Sequence, residues 1–281
     1  MISRMFSALV RAMLVVLMIA TPSILLPGTT ADTAQIVALL GIAAALFTFI
    51  EYNSTYPSLV EFRQAPPFNR LRFLGLFATV FALTLIAKGV HEPTTLTRLF
   101  EAMGTRIAEV MDFPYSPVRL MVLMLPPEAT HDLAASVRTA AGLSYLVSLL
   151  ALGAFVLILR MTGWPTRHGS FNVWVNLPTF DPTAGGDVVE RLDRDASINL
   201  ILGFLLPFII PAVVKLASDL FNPISLQDPQ TLIWTMAAWA FLPASMIMRG
   251  IAMNRVARMI CKQRRRAAAA RAEAGKDPLP A

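Results

Sequence analysis

The sequence predicts an all-α polytopic membrane protein: about six transmembrane helices, both termini cytoplasmic, and one amphipathic helix on the outer face. Three observations predict it. Apolar residues make up 56% of the 281-residue chain and charged residues only 15%, against ~25% charged in an ordinary soluble domain. Six apolar stretches come close to the ~20 residues that cross ~30 Å of hydrocarbon. The basic residues gather on one side of those stretches, as cytoplasmic loops do.

The first stretch, 6–26, follows Arg4 and carries Arg11. Its length reads as an uncleaved span rather than the short apolar core of a signal peptide. A tight turn with Gly28 and Asp32 leads to the second span, 35–50, so the two form a helical hairpin. Residues 51–70 are polar and turn-rich, and Tyr52, Tyr56, Phe62 and Phe68 suit the headgroup level. The third span is 71–87.

The outer segment, 88–136, has two parts. Within 94–112, Leu96, Leu99, Phe100, Met103, Ile107, Val110 and Met111 recur at helical spacing among Arg98, Glu101, Arg106 and Glu109. That pattern is an amphipathic helix. Residues 118–125 are apolar but too short to span, whether interfacial, re-entrant or packed on the spans. Thr130 is the N-cap of the helix that becomes the fourth span, 137–159. A cytoplasmic loop, 160–196, follows, in which alternating Phe171, Val173 and Val175 predict a short strand or hairpin.

The fifth span, 197–217, carries the densest set of unusual residues. Asn199, Gly203, Pro207, Pro211, Lys215 and Asp219 recur every fourth position and form one ridge. Each proline lacks the N–H that would bond four residues back, which frees the carbonyls of Gly203 and Pro207. A stripe of this kind inside lipid must face protein or water, so the ridge is the candidate pathway or partner surface, with the freed carbonyls lining any buried site. The sixth span, 231–248, runs on into a basic helical tail, 254–281. There Arg255, Arg258, Lys262, Arg264, Arg265 and Arg266 form a candidate surface for anionic lipid headgroups or a partner protein. No aromatics interleave them, so no nucleic acid is expected.

Orientation follows from counting. With the N-terminus inside, 18 of the 24 Lys and Arg fall on the cytoplasmic side, and the short outer turns at 27–34 and 222–230 hold none.

Catalytic chemistry has little sequence support. There is no HExxH, no Walker glycine pattern and no Cys/His cluster around the single Cys261. The pairs His91-Glu92 and His131-Asp132 fit helix termini better than a metal site. Gly142-Leu-Ser-Tyr145 lacks the glycine that follows the serine nucleophile of intramembrane rhomboid proteases, and no later span holds a His base. No catalytic residue, cofactor or metal ligand is assigned. The expected function is a non-enzymatic scaffold or accessory subunit of a complex in the bacterial cytoplasmic (inner) membrane. Its partners would be the lipid bilayer and other membrane proteins. The alternative is a small-solute or ion transporter or channel built on the proline-broken fifth span.

Overall fold

A computed structural model describes residues 2–165, 171–181, 183, 185–218 and 226–274. It is helical throughout, and no strand occurs among the described residues. In chain order the helices are α1 (Ile2–Leu25), α2 (Ala31–Asn53), α3 (Phe68–His91), α4 (Thr95–Met111), α5 (Pro117–Leu123), α6 (His131–Thr162), α7 (Val173–Asn176), α8 (Val188–Ser218) and α9 (Pro229–Ala274). Six of them, α1, α2, α3, α6, α8 and α9, are long and apolar enough to cross a membrane.

Local chemistry sets several boundaries. Thr30, Thr94, Ser116 and Thr130 each accept a backbone N–H from three residues on, capping α2, α4, α5 and α6. Pro117 opens α5, where its missing N–H costs nothing. Gly163 closes α6 at φ +62°, a backbone region that glycine enters freely. The segment predicted as a strand instead forms the single-turn α7. Its alternation served burial: Val175 and Asn176 turn inward while Trp174 turns out.

Two cores hold the bundle, one at each end. At the end where α1 meets α2, the core joins Leu26, Val80, Val118, Met121, Val137, Ile233 and Trp239. This is the turn end. At the other, the loop end, Phe62, Phe68, Phe155, Leu159, Trp164, Leu177, Leu192 and Met253 pack together. α3, α6 and α9 contribute to both cores and act as the struts. α5 belongs to the turn-end core, since Val118 and Met121 are fully buried there, so the short apolar run is packed on the spans. Phe62 and Phe68 sit in the loop-end core at 1% exposure, packed on protein rather than turned to headgroups. Their rings lie 4.5 Å apart, with Trp164 and Phe155 within reach.

α4 shows why an apolar stripe wider than one contact face arises. Thr97, Gly104 and Ala108 are buried against α3 and α6. Leu96, Leu99, Met103 and Val110 form a second, uncovered stripe beside them. Small residues permit the approach, because a Cβ on Gly142 would lie 2.8 Å from the Ala108 Cα. α2 is different. It is apolar all round, packs extensively only on α1, and buries only Gly41 and Glu51.

Candidate functional site

The fifth-span ridge lies on α8 and faces α9. Asn199, Gly203, Pro207 and Pro211 are buried, and Lys215 is half-buried near the end of the helix. Asp219 lies outside the described residues. Gly203 is one of two positions where the backbones come close. A Cβ there would sit 2.8 Å from the Pro243 carbonyl oxygen and 2.6 Å from the Ile247 side chain. Seven residues away on each helix, a Cβ on Gly250 would meet the Ala196 carbonyl at 2.8 Å. The antiparallel pair is thus pinned at two glycines, one from each helix. At Gly203 and Pro207 the ridge packs directly on α9.

The freed carbonyl of Pro207 has a partner. The indole N–H of Trp239 on α9 donates to it at 3.3 Å, in a fully buried setting. Pro211 removes the helical donor, and Trp239 supplies a replacement across the seam. Asn199 turns its amide back on its own helix and donates to the Asp195 carbonyl at 2.7 Å.

At the loop end, two carboxylates that sequence reasoning passed over organise the connecting segments. Glu61 accepts both Nε and Nη2 of Arg249 on α9, at 2.6 and 2.8 Å, and the Thr179 hydroxyl at 2.6 Å. The Asn69 side chain donates to the Glu61 backbone carbonyl. One bidentate pair, with Glu61 buried and Arg249 half-buried, therefore ties the α2–α3 loop, the α7–α8 segment and α9 together. Beside it, Asn176 accepts the Phe62 and Gln64 N–H groups through its backbone and side-chain oxygens. That grip holds Phe62 at φ +50°, an unfavourable region for a bulky residue. Glu51 ends α2 and accepts the N–H groups of Ser58, Leu59 and Val60 and the Ser58 hydroxyl. Arg63 closes the same turn on the carbonyls of Glu51, Ser54 and Thr55. The signal for both was an isolated carboxylate after apolar residues, followed within six positions by a proline. It points to loop architecture, not to a reaction.

At the turn end, Asp112 bridges three elements, with Arg119 Nε at 3.0 Å and Arg138 Nε at 2.8 Å. Glu92 pairs with Lys88 at 3.2 Å. His91 borders a groove of about 670 Å³ that also includes Asp228 and Trp234, while His131 opens α6. Among the described residues, no three His, Cys, Asp or Glu side chains converge as metal ligands. Ser144 is fully buried and its hydroxyl has no hydrogen-bond partner. An activated nucleophile would need a base beside it.

The tail residues divide by position. Arg255 donates to the Leu159 carbonyl of α6 at 2.9 Å. Arg264 reaches Asp187 at 2.7 Å, just before α8 begins. That contact, followed by the Val189 N–H, holds the Asp187 carboxyl below its ordinary value. Arg258, Lys262, Arg265 and Arg266 are exposed.

Fold and site together define a multi-pass helical membrane protein whose buried polar groups serve packing and loop closure. No protein-family model, curated protein or solved structure matches the chain.

Proposed function

We propose that this chain is a non-enzymatic scaffold or accessory subunit of a bacterial inner-membrane complex, with both termini in the cytoplasm. The observation that carries the reading is α9. At 46 residues it measures roughly 70 Å, more than twice the ~30 Å of hydrocarbon. Its last turns leave the bundle as a basic helix exposed on every side from Arg264 to Arg271. A basic helix that buries no face against its own bundle offers its charge to headgroups or a partner. Two membrane-level surfaces add support. α2 presents apolar residues on every side but that of α1, and α4 offers its uncovered stripe of Leu96, Leu99, Met103 and Val110.

The transporter or channel alternative needs the α8 ridge as its route. The close approach at Gly203 and the occupied Pro207 carbonyl weigh against it. Tagged full-length protein, crosslinked in native membranes and extracted in mild detergent, tests the choice by mass spectrometry. We expect a stoichiometric membrane partner that is lost when 264–281 are deleted. Recovery of the chain alone overturns the scaffold reading. Loss of cellular function in Lys215→Ala with partner recovery intact would favour the transporter.

A further inference from the structure

A groove of about 560 Å³ opens at the loop end between the end of α6, the first half of α8 and the second half of α9. Arg160, Arg255 and Arg258 line its rim, and Val156, Leu200 and Ile251 line its floor. We infer that this groove binds one anionic glycerophospholipid, with its phosphate among the three guanidinium groups and an acyl chain along the floor. The inference stands apart from the scaffold reading, since it uses Arg255 and Arg258 at the start of the tail, where α9 still packs on the bundle, and none of the exposed residues from Arg264 on.

Charge complementarity carries the argument. Among the described residues, none of the three arginines pairs with an acidic side chain, whereas Asp112, Glu61 and Asp187 each hold arginines elsewhere in the bundle. Three uncompensated guanidinium groups around one concavity repel one another unless an anion sits between them. Arg255 is held in place by its bond to the Leu159 carbonyl. A guanidinium has five N–H donors, so that single bond leaves most of them for a ligand. Arg160 lies in the last turn of α6, where the helix end itself favours a cation. That explains one arginine. It does not explain two more, from a different helix, on the same rim.

The floor selects the ligand class. Val156, Leu200 and Ile251 belong to helices apolar enough to cross the membrane, so the groove continues from the headgroup level into the hydrocarbon. A free phosphate would satisfy the rim and leave the apolar floor open to water. An amphiphile with an anionic head fits both halves. The volume lies within the ~300–1,000 Å³ of ordinary small-molecule sites.

The test uses the full chain purified in a neutral detergent. Thermal unfolding and native mass spectrometry follow addition of dioleoyl phosphatidylglycerol, dioleoyl phosphatidylcholine or inorganic phosphate. We expect phosphatidylglycerol to raise the unfolding temperature and remain bound, and the other two to do neither. Arg160→Gln with Arg258→Gln should weaken its binding on the order of thirtyfold, at about one headgroup interaction lost per arginine. Arg258→Gln alone replaces an exposed side chain, so it keeps the fold intact and should give a smaller loss in the same direction. Replacing Arg264, Arg265 and Arg266 by Gln should leave binding unchanged. An equal response to phosphatidylcholine overturns the inference, as does an equal response to inorganic phosphate. Binding lost with the tail arginines but kept in the Arg160 and Arg258 variants overturns it too.

Discussion

At the scale of single residues, the contact that most constrains this protein is the indole of Trp239 on the Pro207 carbonyl. A carbonyl left without a donor in an apolar interior costs about 1–3 kcal/mol, and Pro211 has already removed the donor that its own helix would provide. Trp239→Phe should therefore destabilise the protein by about 1–3 kcal/mol, partly through the orphaned oxygen and partly through lost packing. The two causes separate in a double-mutant cycle. Pro211→Ala returns an N–H to position 211, which can bond Pro207 along the helix. In that background the cost of Trp239→Phe should shrink by about 1 kcal/mol. Unfolding in mixed detergent and denaturant micelles measures all four proteins, and strictly additive costs would show that the hydrogen bond contributes nothing. Glu61 and Arg249 pose the opposite case. Their pair is bidentate, with Glu61 buried and Arg249 partly exposed, so removing Arg249 strands a buried carboxylate, whereas replacing both with apolar groups is the milder change.

At the scale of elements, close approach is set by glycine and alanine, and the effect is local to each position. Gly142 on α6 faces the Ala108 backbone of α4 at a Cβ distance of 2.8 Å, whereas a Cβ on Gly153, on the same helix, meets nothing within 4 Å. Gly142→Ala should push α4 away and cost about 1–3 kcal/mol. Gly153→Ala should be neutral or stabilising by up to about 1 kcal/mol, because alanine is the better helix former. Thermal unfolding in detergent ranks the two against the parent, and a Gly142→Ala protein as stable as the parent would mean that α4 is not anchored there. The elements also differ in how much of them the sequence exposed. The long apolar helices were legible because span length is a one-dimensional property. The α8 ridge was legible as a pattern, since prolines and glycine at every fourth position cannot face lipid. Its partner was not, because Trp239, Pro243 and Gly250 acquire meaning only when α9 lies antiparallel against α8. The strand expected around Val173 failed because three alternating residues carry too short a period to separate a strand from one helical turn. The burial of Phe62 and Phe68 went unread for a related reason. Composition says that aromatics suit an interface, but only the Glu51 and Glu61 loop closures bury these two. Arg264 on Asp187 gives the tail a tether with a definite pH sign. The folded carboxyl titrates below its ordinary value, so the tether is intact above the usual carboxylate range and is lost as pH falls through the lowered value.

At the scale of the whole molecule, the asymmetry of charge between the two ends bears on how the bundle sits in a membrane. At the turn end, Lys88 pairs with Glu92, Arg106 with Glu109, and both Arg119 and Arg138 with Asp112. At the loop end, Arg160, Arg255 and Arg258 stand around a groove without acidic partners among the described residues, and most of the basic tail is exposed. Insertion follows the count of Lys and Arg in short loops rather than the net charge. By that count the turns at 27–34 and 222–230, which hold none, should cross to the outside, while the arginine-rich loop end should stay in. Alkaline phosphatase is active only after export, so fusions at Asp32 and Asn222 should be active and a fusion at Pro182 inactive. The prediction is strict because the helices alternate between the two ends: reversing one site reverses all three. An active Pro182 fusion with inactive Asp32 and Asn222 fusions would put the basic tail outside, away from any cytoplasmic partner. It would also place the Arg160, Arg255 and Arg258 groove in the outer leaflet. The groove could still hold an anionic lipid there, but the scaffold reading built on α9 would lose its footing.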